Sequence, residues 1–207
     1  MNPHPFDDTS AALLRAAHTI LETQGPESLT VRRIAAEAGM STMNVYSRFD
    51  GKDGVIDELY ADGYRRLAAA LQAVATTDDI VADIVAVMHA YRQFAIDNPT
   101  YYRIMFRTAA VPDFHPSPAS VEIAYTCLRS LRVRVELAQE RGDIATFSNW
   151  SALEISAWIW ATCHGLVALE VSDVTVDGVD WQSTFDSGAR TALRGLHPSV
   201  AVAHALA

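Results

Sequence analysis

Between Leu29 and Tyr60 the chain reads LTVRRIAAEAGMSTMNVYSRFDGKDGVIDELY, and this stretch decides the fold. Ala35, Gly39 and Val45 fall within it at offsets of four and six. Two short helices that cross closely need a small residue at the crossing and a glycine where the chain turns with positive φ. They also need an apolar residue that pins the second helix to the first. All three are present. On spacing alone a DNA-binding helix-turn-helix and an ordinary αα-corner both remain open, because each uses the same glycine.

Working outward, the apolar period stays helical and no run alternates as a strand does, so the expected fold class is all-α. Asp7 or Asp8 can cap a first helix whose apolar positions are Leu13, Leu14, Ala17, Ile20 and Leu21, stopped by Gly25-Pro26. Thr30 can cap a second helix running to Ala38, and Gly39 can end it. Ser41 can cap a third, from Thr42 to about Arg48, and Asp50-Gly51 turns the chain into a long fourth helix from Lys52 to about Val74. Further helices are expected from Asp78 or Asp79 to Asn98-Pro99, from Tyr101 to Phe106, up to Arg141-Gly142, from about Asn149 to Val171, and from about Trp181 to Arg194. Val111 to Pro118, with Pro112, Pro116 and Pro118, is expected to be a loop.

Composition narrows the function classes. The 207 residues carry 25 Asp and Glu against 16 Lys and Arg, a net charge of -9, which argues against a nucleic-acid coat. Half the residues are hydrophobic, enough for a substantial core in one or two domains. Lys52 is the only lysine. Two cysteines, Cys127 and Cys163, make no disulfide framework, no basic-then-apolar leader opens the sequence, and a cytoplasmic location is expected. The apolar stretch Ile155 to Val171 is shorter than a membrane span and reads as a buried helix, so no membrane partner is expected.

The residues flanking the turn resemble the signature of the tetracycline-repressor (TetR) family of transcriptional regulators. The resemblance rests on IAxxAG at Ile34 to Gly39, Ser41, Val45-Tyr46, Phe49, Lys52 opening the next helix, acidic Asp53 and apolar Val55. It implies that Thr42, Met43 and Asn44 meet base edges in the major groove, Asn44 being the most informative because its amide both donates and accepts. It implies phosphate contacts at Tyr46 and Lys52, with Thr30, Ser41, Ser47 and Arg48 as weaker candidates. Arg32 and Arg33 read equally as phosphate contacts or as a solvated face beside Glu37. Members often carry a basic arm ahead of the first helix; Asp7 and Asp8 stand there, and no minor-groove contact is expected.

The later sequence resembles the family more loosely. Trp160, His164 and Gly165 in WIWATCHGLVALE are similar to the W-x-x-x-H-G pattern of one C-terminal subclass, as is Asn98-Pro99 followed by Tyr101 to Phe106. The resemblance implies a helical cavity for an apolar or aromatic effector. Met88, Tyr91, Phe94, Tyr102, Met105, Phe106, Tyr125, Trp160 and His164 are its candidate lining. His164 has no second ligand at zinc spacing, and neither a metal nor a cofactor is expected.

The expected organisation is a helix-turn-helix domain over residues 1–51 and a helical effector-binding and dimerisation domain over 52–207, joined through the helix starting at Lys52. The resemblance implies dimerisation by packing the last two long helices of each subunit into a four-helix bundle, which would bury the apolar helix from Asn149 to Val171 on two sides, core on one and partner on the other. A two-fold dimer places its recognition helices roughly 34–36 Å apart on a palindromic operator. The expected function is a dimeric, ligand-responsive DNA-binding regulator, a repressor released by a small effector. The rival is a helical small-molecule-binding protein or enzyme that keeps the fold without operator binding. No Gly-rich phosphate loop, nucleophile elbow, metal box or carboxylate pair supports an enzyme.

Overall fold

The computed structural model of the chain describes residues 6–106, 114–147, 150–172 and 177–199. The described residues form helices α1 (Asp8–Gln24), α2 (Val31–Glu37), α3 (Thr42–Phe49), α4 (Lys52–Gln72), α5 (Ile80–Asp97), α6 (Pro99–Phe106), α7 (Pro118–Arg141), α8 (Ala152–Glu170) and α9 (Trp181–Gly195). Among them β structure is confined to one isolated bridge, Phe147 to Trp150. The fold is all-α, as the helical periodicity predicts.

The chain divides into two compact units. One comprises 1–65 with 98–124, the other 66–97 with 125–207. The backbone passes from the first to the second within α4, returns between α5 and α6, and leaves again within α7.

In the first unit α1, α2 and α3 pack on one another around Leu13, Ala17, Ile20, Ile34, Ala35 and Val45. Their ends follow local chemistry. Asp7 caps α1 by accepting from the Ser10 amide at 2.8 Å, and Gly25 ends the helix at φ 78°. Thr30 caps α2 by accepting from the Arg33 amide at 3.3 Å. Gly39, at φ 66°, reverses the chain between α2 and α3. Asp50 (φ 57°) and Gly51 (φ 117°) make the next reversal. Beyond it α4 starts so close under α3 that a Cβ on Gly54 would stand 1.7 Å from the Phe49 carbonyl oxygen. Ser41 holds the cap position of α3, but its hydroxyl makes no cap bond to the backbone. It accepts instead from the Asn44 side-chain Nδ2 at 3.3 Å.

The rest of this unit ties α4 to α6 and to the start of α7. Tyr101 Oη donates to Asp62 at 2.7 Å, and the Tyr101 ring lies 4.6 Å from that of His18 on α1. Asp57 accepts from the Ser117 amide and the Ser120 hydroxyl, both at 2.8 Å, fixing the entry to α7. Residues 114–117 are irregular, as expected of the proline-rich stretch, and Pro118 becomes the first residue of α7. Val111 to Asp113 of the expected loop lie outside the described residues, as does the expected helix start at Asn149.

In the second unit α5, α8 and α9 pack together. Asp79 caps α5, accepting from the Ala82 amide at 2.9 Å, and Ser151 with Glu154 forms a capping box on α8. Within the single chain α8 buries one of its apolar faces and leaves the other open. Ile155, Ser156, Ile159, Cys163 and Val167 are buried on one face, while Leu153, Trp160 and Leu169 are exposed on the other. By length and composition α8 is also the one described helix able to cross a membrane. On α9 the apolar stripe Phe185, Ala189, Ala192 and Leu193 is taken up by the unit's own core, leaving an outer face of Gln182, Ser183, Ser187, Arg190, Thr191 and Arg194.

Candidate nucleic-acid interface

Val45 is fully buried, and burial of such a side chain contributes roughly 1.5–3 kcal/mol. With Val45 pinned inward, helical geometry turns Thr42, Met43, Tyr46 and Ser47 to solvent. Met43 is 70% exposed and Tyr46 53%, values that mark large apolar side chains projecting from a small helix rather than closing a core. The Tyr46 ring faces Gly51, where a Cβ would stand 3.6 Å from it. Thr30 and Ser41 are exposed, Asn44 and Lys52 half-buried. Lys52 is the first residue of α4, and its ammonium makes no hydrogen bond or ion pair with the described residues. A cation beside a helix start with open N–H groups is a ready phosphate seat.

Arg48 is placed differently from its neighbours. Its Nη2 and Nε donate to the two carboxylate oxygens of Asp7, at 2.9 and 3.2 Å, and its side chain is only 15% exposed. The guanidinium holds the Asp7 carboxyl far below the usual carboxylate range, helped by the Ser10 amide, and Asp7 in turn raises the basicity of Arg48. Sequence reasoning finds Asp7 as a possible cap. It has no signal for this second role, because the two residues are 41 positions apart. Arg33 donates to Gln24, whereas Arg32 is exposed.

The candidate effector residues divide between the two units. Tyr102 and Met105 are buried on α6 and Phe106 is half-buried, its ring 4.9 Å from that of Tyr102. Met88, Tyr91 and Phe94 are buried on α5. Tyr91 Oη meets His164 Nδ1 at 3.0 Å, and burial pushes the His164 pKa below its ordinary value. Trp160 lies 5.9 Å from the His164 ring, as their one-turn spacing on α8 predicts. Two candidates are not interior. Tyr125 is 54% exposed and Trp160 38%, because each sits on the outward side of its helix.

In the second unit, Arg92 pairs with Glu170 across α5 and α8 and also stands 5.8 Å over the Phe185 ring of α9. A groove of about 630 Å³ opens elsewhere in the same unit, lined by Val81, Val85, Arg190, Leu193, Arg194 and His197 among others. It contains none of the nine candidates. Among the described residues no group of three or more His, Cys, Asp or Glu side chains could hold a metal. Desolvation raises the Cys127 thiol to about 11 and the Cys163 thiol to about 12.

Comparison with known proteins agrees with this geometry. The HTH-type transcriptional regulator Rv1816 of Mycobacterium tuberculosis is 27% identical over 117 residues, covering 54% of this chain and 49% of the relative. The chain thus spans about half the length of the curated mycobacterial relatives it matches. The HTH-type transcriptional repressor KstR2 of Rhodococcus jostii is 38% identical over 65 residues, 28% of this chain and 32% of the relative. A solved structure of a protein of unknown function from Rhodococcus sp. RHA1 superposes with a TM-score of 0.79 at 26% identity, covering 95% of this chain and 99% of that one. The model of bacterial regulatory proteins of the tetR family matches residues 13–59, which hold α2 and α3. The tetracyclin repressor-like C-terminal domain matches residues 84–192, more than half of the chain. From the helix-turn-helix through to α9, the chain belongs to the tetR family of bacterial regulatory proteins.

Proposed function

We propose that this chain is a dimeric DNA-binding transcriptional regulator, working in the cytoplasm, that represses from a palindromic operator and is released by a small apolar or aromatic effector. Residues 1–51 present the DNA-facing side chains. Residues 52–207 take the effector and the partner subunit, and α4 belongs to both tasks as their connection. The observation that carries this reading is α3 itself. It buries Val45 and leaves Thr42, Met43, Tyr46 and Ser47 outside, next to an unengaged Lys52. An αα-corner serving only packing has no reason to expose a tyrosine and a methionine on so short a helix. Family membership supports the same choice over an enzyme that keeps the fold.

In this reading Thr42, Met43 and Asn44 meet base edges, while Tyr46 and Lys52 hold phosphates, with Thr30, Ser41 and Ser47 at the margin. From Thr30 to Lys52 the chain carries four cations against two anions, within a protein of net charge -9. Non-specific affinity is therefore weak and recognition rests on few contacts. The uncovered apolar side of α8, with Leu153, Trp160 and Leu169, supports pairing with a second copy. Effector binding that favours the non-binding conformation by about 1–3 kcal/mol is enough to switch occupancy.

The test is a footprint on the DNA next to the protein's own gene, at moderate salt, with the parent, Lys52→Ala and Asn44→Ala. Lys52→Ala is expected to weaken binding to every sequence and flatten the salt dependence, and Asn44→Ala to relax discrimination at one base pair per half-site. Equal protection by all three proteins defeats the proposal. Light scattering that gives a monomer at every concentration defeats the dimer.

A further inference from the structure

The cluster at the end of α3 goes further than a phosphate contact. Asp7 uses both oxygens on Arg48, and its Oδ1 also accepts from the Ser10 amide at 2.8 Å and the Ser10 hydroxyl at 3.0 Å. The carboxylate is thereby fixed from two sides. Arg48, so held, turns Nη1 towards Asn44 Oδ1 at 3.4 Å and Ser47 Oγ at 3.3 Å. At the other end of the same amide, Asn44 Nδ2 donates to Ser41 Oγ at 3.3 Å. A guanidinium can only donate, so the Asn44 group facing it is the oxygen. The reverse rotamer sets donor against donor. Arg48 thus decides which way the amide points.

Resting on the DNA-binding reading above, we propose that Arg48 is a positioning residue. Asp7 withholds it from phosphate, and it presets the Asn44 carboxamide to read an adenine. With one lone pair of Oδ1 towards Arg48 and one hydrogen of Nδ2 towards Ser41, the amide retains one acceptor and one donor side by side. That pattern matches the N6 amino group and N7 of adenine in the major groove. Fixing the amide beforehand removes the reorientation that an unrestrained asparagine undergoes on binding. It also explains why a cation on the recognition helix is paired with a carboxylate at the start of α1. The pair lies within the first compact unit, so the preset travels with the recognition helix as a body.

The experiment measures fluorescence anisotropy of the full-length protein on a labelled duplex of its footprinted operator, over a KCl series. A second set of duplexes replaces each A·T pair by G·C, one at a time. The proteins are the parent, Asn44→Ala, Arg48→Ala, Arg48→Lys and Asp7→Asn, with thermal melts to verify folding. Asn44→Ala is expected to lose about tenfold discrimination at one A·T pair per half-site. Arg48→Ala and Asp7→Asn lose most of the same discrimination at the same pair, while the slope of log K against log[KCl] stays that of the parent. Arg48→Lys keeps the cation but cannot span Asp7 and Asn44 together, and follows Arg48→Ala. The double variant Asn44→Ala/Arg48→Ala is no less selective than Asn44→Ala.

If Arg48→Ala weakens all duplexes alike and flattens the salt slope, or Asp7→Asn tightens all of them, Arg48 is a phosphate contact and the inference is wrong. Full selectivity in a folded Arg48→Lys also overturns it. Those outcomes leave the regulator reading standing, because the parent still binds its operator. A parent that binds no duplex overturns both.

Discussion

Tyr91 Oη on α5 and His164 Nδ1 on α8 stand 3.0 Å apart and share a hydrogen bond. Desolvation lowers the His164 pKa from its ordinary 6.5, so the imidazole is neutral in the folded protein at neutral pH. An unfolded chain takes up the proton first as pH falls. The stabilisation from the neutral ring is therefore complete above about 6.5 and lost progressively below it. In urea melts, the parent is expected to lose more stability between pH 7.5 and 5.5 than His164→Gln does. Equal losses count against a buried neutral histidine. Tyr91→Phe, which removes this hydrogen bond, is expected to cost about 1 kcal/mol at pH 7.5.

Arg92 and Glu170 form a two-pronged ion pair between α5 and α8, each side chain about one-eighth exposed. Removing one partner strands the other in a poorly solvated place. Arg92→Ala also gives up the contact with Phe185. A loss of roughly 3 kcal/mol is expected from Arg92→Ala, and about the same from Glu170→Ala. The double variant should cost much less than the two added together. Additivity in denaturant titration would show that the pair is not coupled.

At Gly63, α4 runs close against α6. A Cβ there would meet Met105 Sδ at 2.7 Å, Met105 Cγ at 3.0 Å and Tyr101 Cδ1 at 3.2 Å. Gly63→Ala gains helix propensity but overpacks this contact, and a net loss of about 1–3 kcal/mol is expected. If Met105 is what crowds the site, Gly63→Ala is expected to cost less in a Met105→Ala background than in the parent. A thermal scan in which Gly63→Ala matches or exceeds the parent refutes the crowding.

The two thiols are protonated and shielded, Cys163 more so than Cys127. The native protein at pH 8 is expected to react slowly with a thiol-specific disulfide reagent and to release its full signal only in denaturant. Rapid labelling of the native protein would place at least one thiol outside.

The first unit was legible because its signals are local. Thr30 and Asp7 cap helices within three residues of themselves, Gly39 takes the positive φ that L side chains rarely adopt, and Val45 pins α3. The pairs that join distant parts of the chain are not local. Asp7 with Arg48, Asp57 with Ser120 and Tyr91 with His164 are separated by 41, 63 and 73 positions, and nothing in a helical period says which distant helix supplies the partner. The same limit explains Tyr125 and Trp160. Where a helix is apolar on most sides, as α8 is, composition does not distinguish the face turned to the core from the face turned away.

Lys52 opens α4 as the chain's single lysine. Amine chemistry on this protein consequently has one side-chain address, at the proposed phosphate seat. Acetyl donors, acylating metabolites or a laboratory succinimidyl ester all report on that one ε-amine, apart from the α-amine. Protection of the amine by bound duplex, read by intact mass, offers a footprint of the protein that complements the footprint of the DNA.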